Sequence, residues 1–513
     1  MKTLYVNGSI LTMTDQRCEA VLTEGERIIG IGTRADFVGE DAAEYDLRGR
    51  TLLPAFLDAH SHLSSYAASF LQASVHDAHS LSDIQRILSD FIAQRESGST
   101  AWVVANGYDD SQISDRRRLD RAVLDEVSRT IPIVVQHKNG HNGVFNSKAI
   151  ELFGIDTEDG VLEETAYMEY VKRIPMPDLA ALTQSYYKAQ SRYLRYGITH
   201  VQEGILVKSM VPIYQHLVEN SCLLLDTVVY PDMDTYGTFK ALYPQAVNRY
   251  YRHMKIGGIK IILDGSPQSK TAWMKTPYLG TDTFGQGTMT DEAVYAAVEK
   301  ALAEGVQIIA HCNGDRAVEQ YLCTLERFGP QEVRKIRPVI IHAQLLALDQ
   351  LDRVKALGAI PSFFIAHIHH FGDIHIKNFG MDRASKISPA KSALDKGILF
   401  TFHQDTPVIQ PDVLETIRCA VNRTTKSGVL LGAEERLDTT EAIRAQTANV
   451  AVQYGESADK GSIAVGKLAN FVVLNRDISR AAQTFPSGVE IDDVIYLGEP
   501  VSVWRSRTPL PPA

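Results

Sequence analysis

Long apolar runs are missing from this 513-residue chain: nothing approaches the roughly 18 to 20 uninterrupted apolar residues that cross a bilayer. No membrane partner is therefore expected. Basic charge is also in short supply, with 52 Lys and Arg against 62 Asp and Glu and a formal net charge of −10. A basic surface is the footprint of proteins that neutralise nucleic-acid phosphates, so its lack removes nucleic acid from the expected partners. Cysteine is scarce. The five (Cys18, Cys222, Cys312, Cys323 and Cys419) show no paired spacing, and an odd number without a framework reads as reduced thiols in a cytoplasmic protein. The opening residues, Met1 to Gly8, turn polar too early for a secretory signal. No internal repeat or low-complexity segment is visible. What remains is an acidic globular protein that acts on a small molecule, with room for a homodimer, the commonest symmetric assembly.

The length exceeds one compact core and points to two domains, one of them large. Residues 1–52 read as short strands with turns, among them an Asn7-Gly8 hairpin signal. Residues 455–513 have the same texture, with strand-like runs at 471–474, 494–497 and 501–504. Either end alone buries little, so the two are expected to pair into one composite β-sandwich domain around the long middle. Within residues 53–454, apolar runs alternate with helical patterns, the mark of repeated βα units and a parallel sheet. The runs lie at 55–57, 198–202, 223–230, 259–263, 306–311, 339–342, 360–363 and 398–402. Eight is the number that closes a (β/α)8 TIM-type barrel, an α/β fold. The stretch at about 66–195 does not fit that count; with two strand-like runs of its own, 102–105 and 131–135, it reads as an insertion after the first barrel strand.

The first run reads Leu52-Leu53-Pro54-Ala55-Phe56-Leu57-Asp58-Ala59-His60-Ser61-His62. Residues i and i+2 of a strand share a side, so both imidazoles can face one point. In such barrels the chemistry sits at the carboxyl ends of strands. The fourth run carries Lys260 inside an apolar strand, the fifth ends in His311, the sixth in His342 and the eighth in Asp405. Each has an ordinary structural explanation taken alone: a hydrogen-bonded histidine, a turn aspartate before Thr-Pro, an edge lysine whose amine reaches water. Jointly, four histidines and an aspartate at strand ends make a ligand shell for one or two divalent ions.

With these residues in place, the chain resembles the amidohydrolase superfamily, and within it the amidohydrolase-3 or YtcJ-like group. The resemblance rests on residues 54–62, on Gly140-His141-Asn142-Gly143-Val144-Phe145-Asn146-Ser147-Lys148-Ala149, on residues 260–271, on His311-Cys312-Asn313-Gly314-Asp315-Arg316-Ala317, on His342-Ala343-Gln344, on Asp405-Thr406-Pro407 and on residues 460–467. It implies that His60, His62, His311, His342 and Asp405 ligate metal, zinc first among the candidates. It also implies a carboxylated Lys260 bridging two ions; a neutral structural amine with a single ion stays open. Two departures stand out. His403-Gln404 occupies the place where relatives usually have Gly-Ser, and Cys312 follows His311.

The chemistry so implied is hydrolysis of a C–N bond in an amide, N-substituted formamide or cyclic amide. A divalent ion lowers the pKa of its water towards about 7, and Asp405 serves as general base and acid. Any of His141, His367, His370 or His403 could stabilise the oxyanion. The imidazole-rich stretch at 363–375 is expected as a substrate-binding loop, and Gly140-His141-Asn142, Glu163 and Tyr108-Asp109-Asp110 as a lid, with Glu163 also open as a metal-site carboxylate. Two rival functions remain. One is a metal-dependent deaminase of a heterocyclic amine, which commonly has Glu three residues after the fifth-strand histidine, where this chain has Gly314. The other is a non-catalytic regulatory relative.

Overall fold

The computed structural model describes residues 1–94, 102–110, 112–115, 117–137, 142–175, 177–481 and 484–508. The chain divides into two compact units, Met1–Leu63 with Gln190–Ala513, and Ser64–Ala189.

In the first unit, Phe56–Leu57, Ile198–Leu206, Asp226–Pro231 and Met254–Ile256 lie side by side in one sheet. Gly258–Ile262, Gln307–Cys312, Val339–His342, Ile360–Phe363 and Thr401–Phe402 lie in a second. All pairings within both sheets are parallel. Both faces of such strands are covered, so they are near-continuous in Val and Ile; eight of the nine residues of Ile198–Leu206 are buried. The eight expected runs thus appear in sequence order in a TIM-barrel-like α/β fold, but as two arcs. Among the described residues no strand pairing joins Thr401–Phe402 to Phe56–Leu57. The turn at 445–446 stands there instead: Phe402 N–H donates to the Ala445 carbonyl and Leu57 N–H to that of Gln446, each at 3.0 Å. The last strand also shrinks to two residues from the expected five.

Helices between strands follow their caps. Thr290 accepts from Ala293 N–H to start Asp291–Glu304, and Gly305 at φ 62° ends it. Asp315–Phe328 begins just after His311 and buries Val318, Tyr321, Leu322 and Leu325 at helical spacing.

Both chain ends contribute to a second pair of sheets. Lys2–Val6, Ala20–Glu24, Arg27–Gly32 and Ala43–Asp46 make one. Ser9–Ile10 and Thr51–Pro54 join Phe471–Leu474, Ile491–Tyr496 and Glu499–Pro500 in the other, with Phe471 opposite Pro54 and Leu474 opposite Thr51. Tyr5, Val21, Leu52, Phe471, Val473 and Ile495 share a core. The sequence misled at two points. Asn7-Gly8 does not close a hairpin; it carries the chain from one sheet to the other, and a Cβ at Gly8 would come within 2.5 Å of the Arg50 carbonyl. The run at 501–504 is helical, in Val501–Arg505, because Pro500 opens a helix that buries Val501 and sets Trp504 edge-on to Tyr496.

The second unit holds a five-stranded sheet in the order Val161–Glu163, Asn142–Phe145, Ile133–His137, Val103–Tyr108, Ala73–Ser74. The two runs legible in the sequence are its centre. The three shorter strands carry too little apolar pattern to be read ahead of the fold.

Phe471 is fully buried between strands from opposite chain ends. Phe471→Ala should lower the unfolding free energy by about 3–5 kcal/mol, read as a shift in urea midpoint. Val503→Ala, at a half-exposed site, should leave it within about 0.5 kcal/mol.

Candidate metal centre

The parallel strands deliver polar side chains at their carboxyl ends to one place in the first unit. His60 Nε2 and His62 Nε2 stand 3.6 and 3.3 Å from Asp405 Oδ1. One ligand atom from each of the three lies within 4.8 Å of the other two. Lys260, buried in the strand Gly258–Ile262, brings Nζ to 3.3 Å from His60 Nε2. Beside them runs a chain of imidazoles: His311 Nδ1 faces His342 Nε2 at 3.0 Å, and His342 Nδ1 faces His403 Nε2 at 3.2 Å. The His60 ring lies 5.8 Å from that of His342 and 5.4 Å from that of His403.

Neighbours fix these rings. Gln202 Nε2 donates to the Ala59 carbonyl and the Tyr454 hydroxyl, so its oxygen faces His60 Nδ1 at 2.5 Å. An acceptor there puts the His60 proton on Nδ1 and leaves the Nε2 lone pair free on the Asp405 side. His311 Nε2 lies 3.2 Å from the Gly265 carbonyl and 3.0 Å from Asn313 Nδ2, which itself donates to that carbonyl at 2.8 Å. Asp264 receives the N–H groups of Asn313, Gly314 and Trp273 and so anchors the loop behind His311; burial pushes its own carboxyl up to about 7. Ser362 Oγ lies 2.9 Å from His403 Nδ1. Gln202, Asp264, Ser362 and Tyr454 were not singled out from sequence. Gln202 ends an apolar strand run, the very rule that found the histidines.

Electrostatics favour a bound cation. Burial, with Lys260 nearby, holds His60 well below its usual pKa, and burial holds His342 there too. Burial takes His311 to about 4 and His403 to about 3. These rings are neutral and keep their lone pairs at pH 7. Burial also lowers Lys260 to about 8, against the pull of Asp405. For Asp405 burial opposes ionisation, but the imidazoles of His342, His62 and His60 outweigh it and keep the carboxyl well below its usual value. Its Oδ1 is buried and accepts no hydrogen bond. A buried carboxylate oxygen without a hydrogen bond, beside the Nε2 atoms of His60 and His62, is a donor set that fits a divalent transition ion. His342 and Asp405 also hold φ of 71° and 53°, a left-handed strain of about 1–3 kcal/mol each of the kind stored at working sites.

The other expected site residues fall elsewhere. His403 joins the imidazole chain. Most of the stretch at 363–375 is not a loop, since only three residues separate the strand Ile360–Phe363 from the helix His367–Phe379. His367 packs on Phe364 with Nδ1 3.2 Å from His375 Nε2, and Phe364 separates it from His403. His370 is committed to Glu415 at 3.0 Å. Glu163 is exposed at a strand end in the second unit and belongs to neither group of potential metal ligands found among the described residues. The second such group is Asp109, Asp110 and His137, also in the second unit. Gly140 and His141 lie outside the described residues.

Strand-end imidazoles, a lysine and an aspartate on a TIM-barrel-like scaffold make a candidate metal centre. The sequence model described as the amidohydrolase family matches residues 43–502, and the chain belongs to that family. It is 26% identical to the putative amidohydrolase YtcJ of Bacillus subtilis (strain 168), over 93% of this chain and 95% of that protein. It is 24% identical to the N-substituted formamide deformylase of Arthrobacter pascens, over 92% and 93% respectively. Among solved structures, an uncharacterized metal-dependent hydrolase from Pyrococcus furiosus superposes with a TM-score of 0.75 at 23% identity, covering 93% of this chain and 99% of that one.

Gly204 allows the His60 ring its place: a Cβ there would come 2.5 Å from His60 Cε1 and 2.7 Å from the Ser61 carbonyl. Gly204→Ala should weaken zinc binding about 10–100-fold in a competition titration with a chromogenic chelator. Unchanged affinity would remove His60 from the ligand set. A second expectation concerns pH. Lys260 binds its proton less tightly folded than unfolded, so stability rises as pH climbs from about 8 towards the unfolded value near 10.5. Metal-free wild type should gain about 2–3 kcal/mol over Lys260→Met between pH 8 and pH 10 in urea unfolding.

Proposed function

We propose that the protein hydrolyses a C–N bond in a small amide, an N-substituted formamide or a cyclic amide. The observation that carries the reading is the convergence of His60, His62 and Asp405 ligand atoms within 4.8 Å beside Lys260 and the His311–His342 pair. The deformylase likeness across nearly the whole chain supports the bond class.

His60, His62, His311, His342 and Asp405, with Lys260, would hold one or two divalent ions, zinc by their nitrogen and oxygen donors. Such an ion, once bound, acidifies water towards a pKa of about 7 and polarises a carbonyl. Asp405 supplies the proton traffic: a carboxylate oxygen not engaged by the ion would take a proton from the attacking water and return it to the departing nitrogen as the C–N bond breaks. Burial depresses Lys260 to about 8, which raises the neutral-amine fraction at pH 7. Only the neutral amine adds carbon dioxide, and the resulting carbamate would offer two oxygens to bridge a pair of ions. Of the imidazoles considered for an oxyanion, His370 is held by Glu415, and His403 has Nδ1 against Ser362 and Nε2 against His342, so neither offers a spare N–H. The deaminase alternative meets a steric obstacle, because a Cβ at Gly314 would sit 2.0 Å from the Trp273 carbonyl. No glutamate fits that position without rebuilding the loop.

Zinc-loaded protein offered a panel of N-alkylformamides, anilides and cyclic amides should release amine from at least one. Asp405→Asn should reduce kcat about 10²–10⁴-fold. Lys260→Ala should cut two bound ions per chain to one by elemental analysis. Zinc-replete protein that turns over no member of the panel would favour a non-catalytic role, and an unchanged ion count in Lys260→Ala would refute the bridge.

A further inference from the structure

At the opposite ends of the same strands, a cavity of about 600 Å³ opens away from the candidate metal ligands. Its walls come from strand beginnings: Asp226 opens Asp226–Pro231, Gln307 opens Gln307–Cys312, and Arg337 lies two residues before Val339–His342. The volume suits a small organic molecule. The charge does not balance. Arg27, Arg249, Lys255, Lys335, Arg337 and Lys460 face the cavity against Asp226, Glu456 and Asp459.

The three carboxylates are already used. Lys460 Nζ lies 2.6 Å from Asp226 and 2.7 Å from Glu456, Lys255 also pairs with Glu456, and Arg27 holds Asp459 at 2.6 Å. Two guanidiniums keep spare donors. Arg249 spends Nε on the Gln245 carbonyl and Arg337 spends Nε on that of Gln453, while among the described residues neither makes a hydrogen bond or ion pair through its Nη groups. Arg337 is placed at some cost: its φ is 46°, and its Nη2 lies where a Cβ of residue 455 would come within 2.8 Å, a space that Gly455 leaves open. The Nη edge of a planar guanidinium matches the paired oxygens of a carboxylate or phosphoryl group.

We propose that this basal cavity binds a small organic oxyanion, its phosphoryl or carboxylate group on Arg337 with Arg249 at the rim. The floor is linked to the metal centre: Tyr454, which lines the cavity, accepts from Gln202 at 2.6 Å, and Gln202 holds His60. A bound anion would therefore lie a few hydrogen bonds from a metal ligand without touching it.

The test is isothermal titration of inorganic phosphate and of glutarate into chelator-treated full-length protein, with ionic strength held constant by chloride. Removing metal keeps the metal centre from offering a competing anion site, so failure here is separate from failure of the hydrolase reading. One saturable site per chain is expected for at least one probe, and which probe binds tells phosphoryl from carboxylate ligands. Arg337→Gln should weaken it at least tenfold, and Arg249→Gln, at an exposed rim position that can be changed without unfolding, several-fold. Absence of saturation with both probes, or affinity unchanged in Arg249→Gln and in a folded Arg337→Gln, would overturn the proposal.

Discussion

A carboxylate oxygen that is buried yet accepts no hydrogen bond is costly, on the order of 1–3 kcal/mol or more when charged. Asp405 Oδ1 is such an atom, and the strand ends around it form a donor set that fits a cation. Burial strips the surrounding imidazoles of protons, and the carboxylate supplies the one fixed negative charge among them. Without an ion the arrangement is a set of lone pairs pointed at each other. With one, the same desolvation that penalises the empty site strengthens every ligand bond.

The supporting structure is arranged to hold that shell still. Gln202 is satisfied on three sides and so sets the His60 tautomer, Gly204 leaves the ring its room, and Asp264 gathers three N–H groups behind His311. Left-handed backbone at His342 and Asp405 turns both side chains inward, a strain held in place by the two parallel arcs. The Ala445–Gln446 hydrogen bonds hold the first and last strands where the arcs are not paired, and those strands lead to His60 and Asp405.

Much of this was legible in the residues. A parallel strand buried on both faces is apolar throughout, so a polar residue at its carboxyl end stands out, and that contrast located His60, His62, Lys260, His311, His342 and Asp405. The contrast fails where strands are two or three residues long, as at Thr401–Phe402, Ala73–Ser74 and Val161–Glu163. It also fails where a partner distant in sequence decides the outcome. Asn7-Gly8 has hairpin chemistry, yet the following strand pairs with Thr51–Pro54, and Val501–Arg505 alternates like a strand yet packs as a helix. Histidine density was a poor guide: of the imidazole-rich run at 363–375, His370 faces Glu415 and His367 serves a packed helix face, while His403, noted both as a departure and as an oxyanion candidate, sits beside His342.

The central claim is that His60, His62 and Asp405 share one metal ion. Anomalous diffraction at the zinc edge, from crystals grown with zinc, tests it most directly. The account predicts a peak about 2.0–2.2 Å from His60 Nε2, His62 Nε2 and an Asp405 oxygen. A map with no anomalous density among those three atoms, or with zinc bound only elsewhere on the chain, would contradict it.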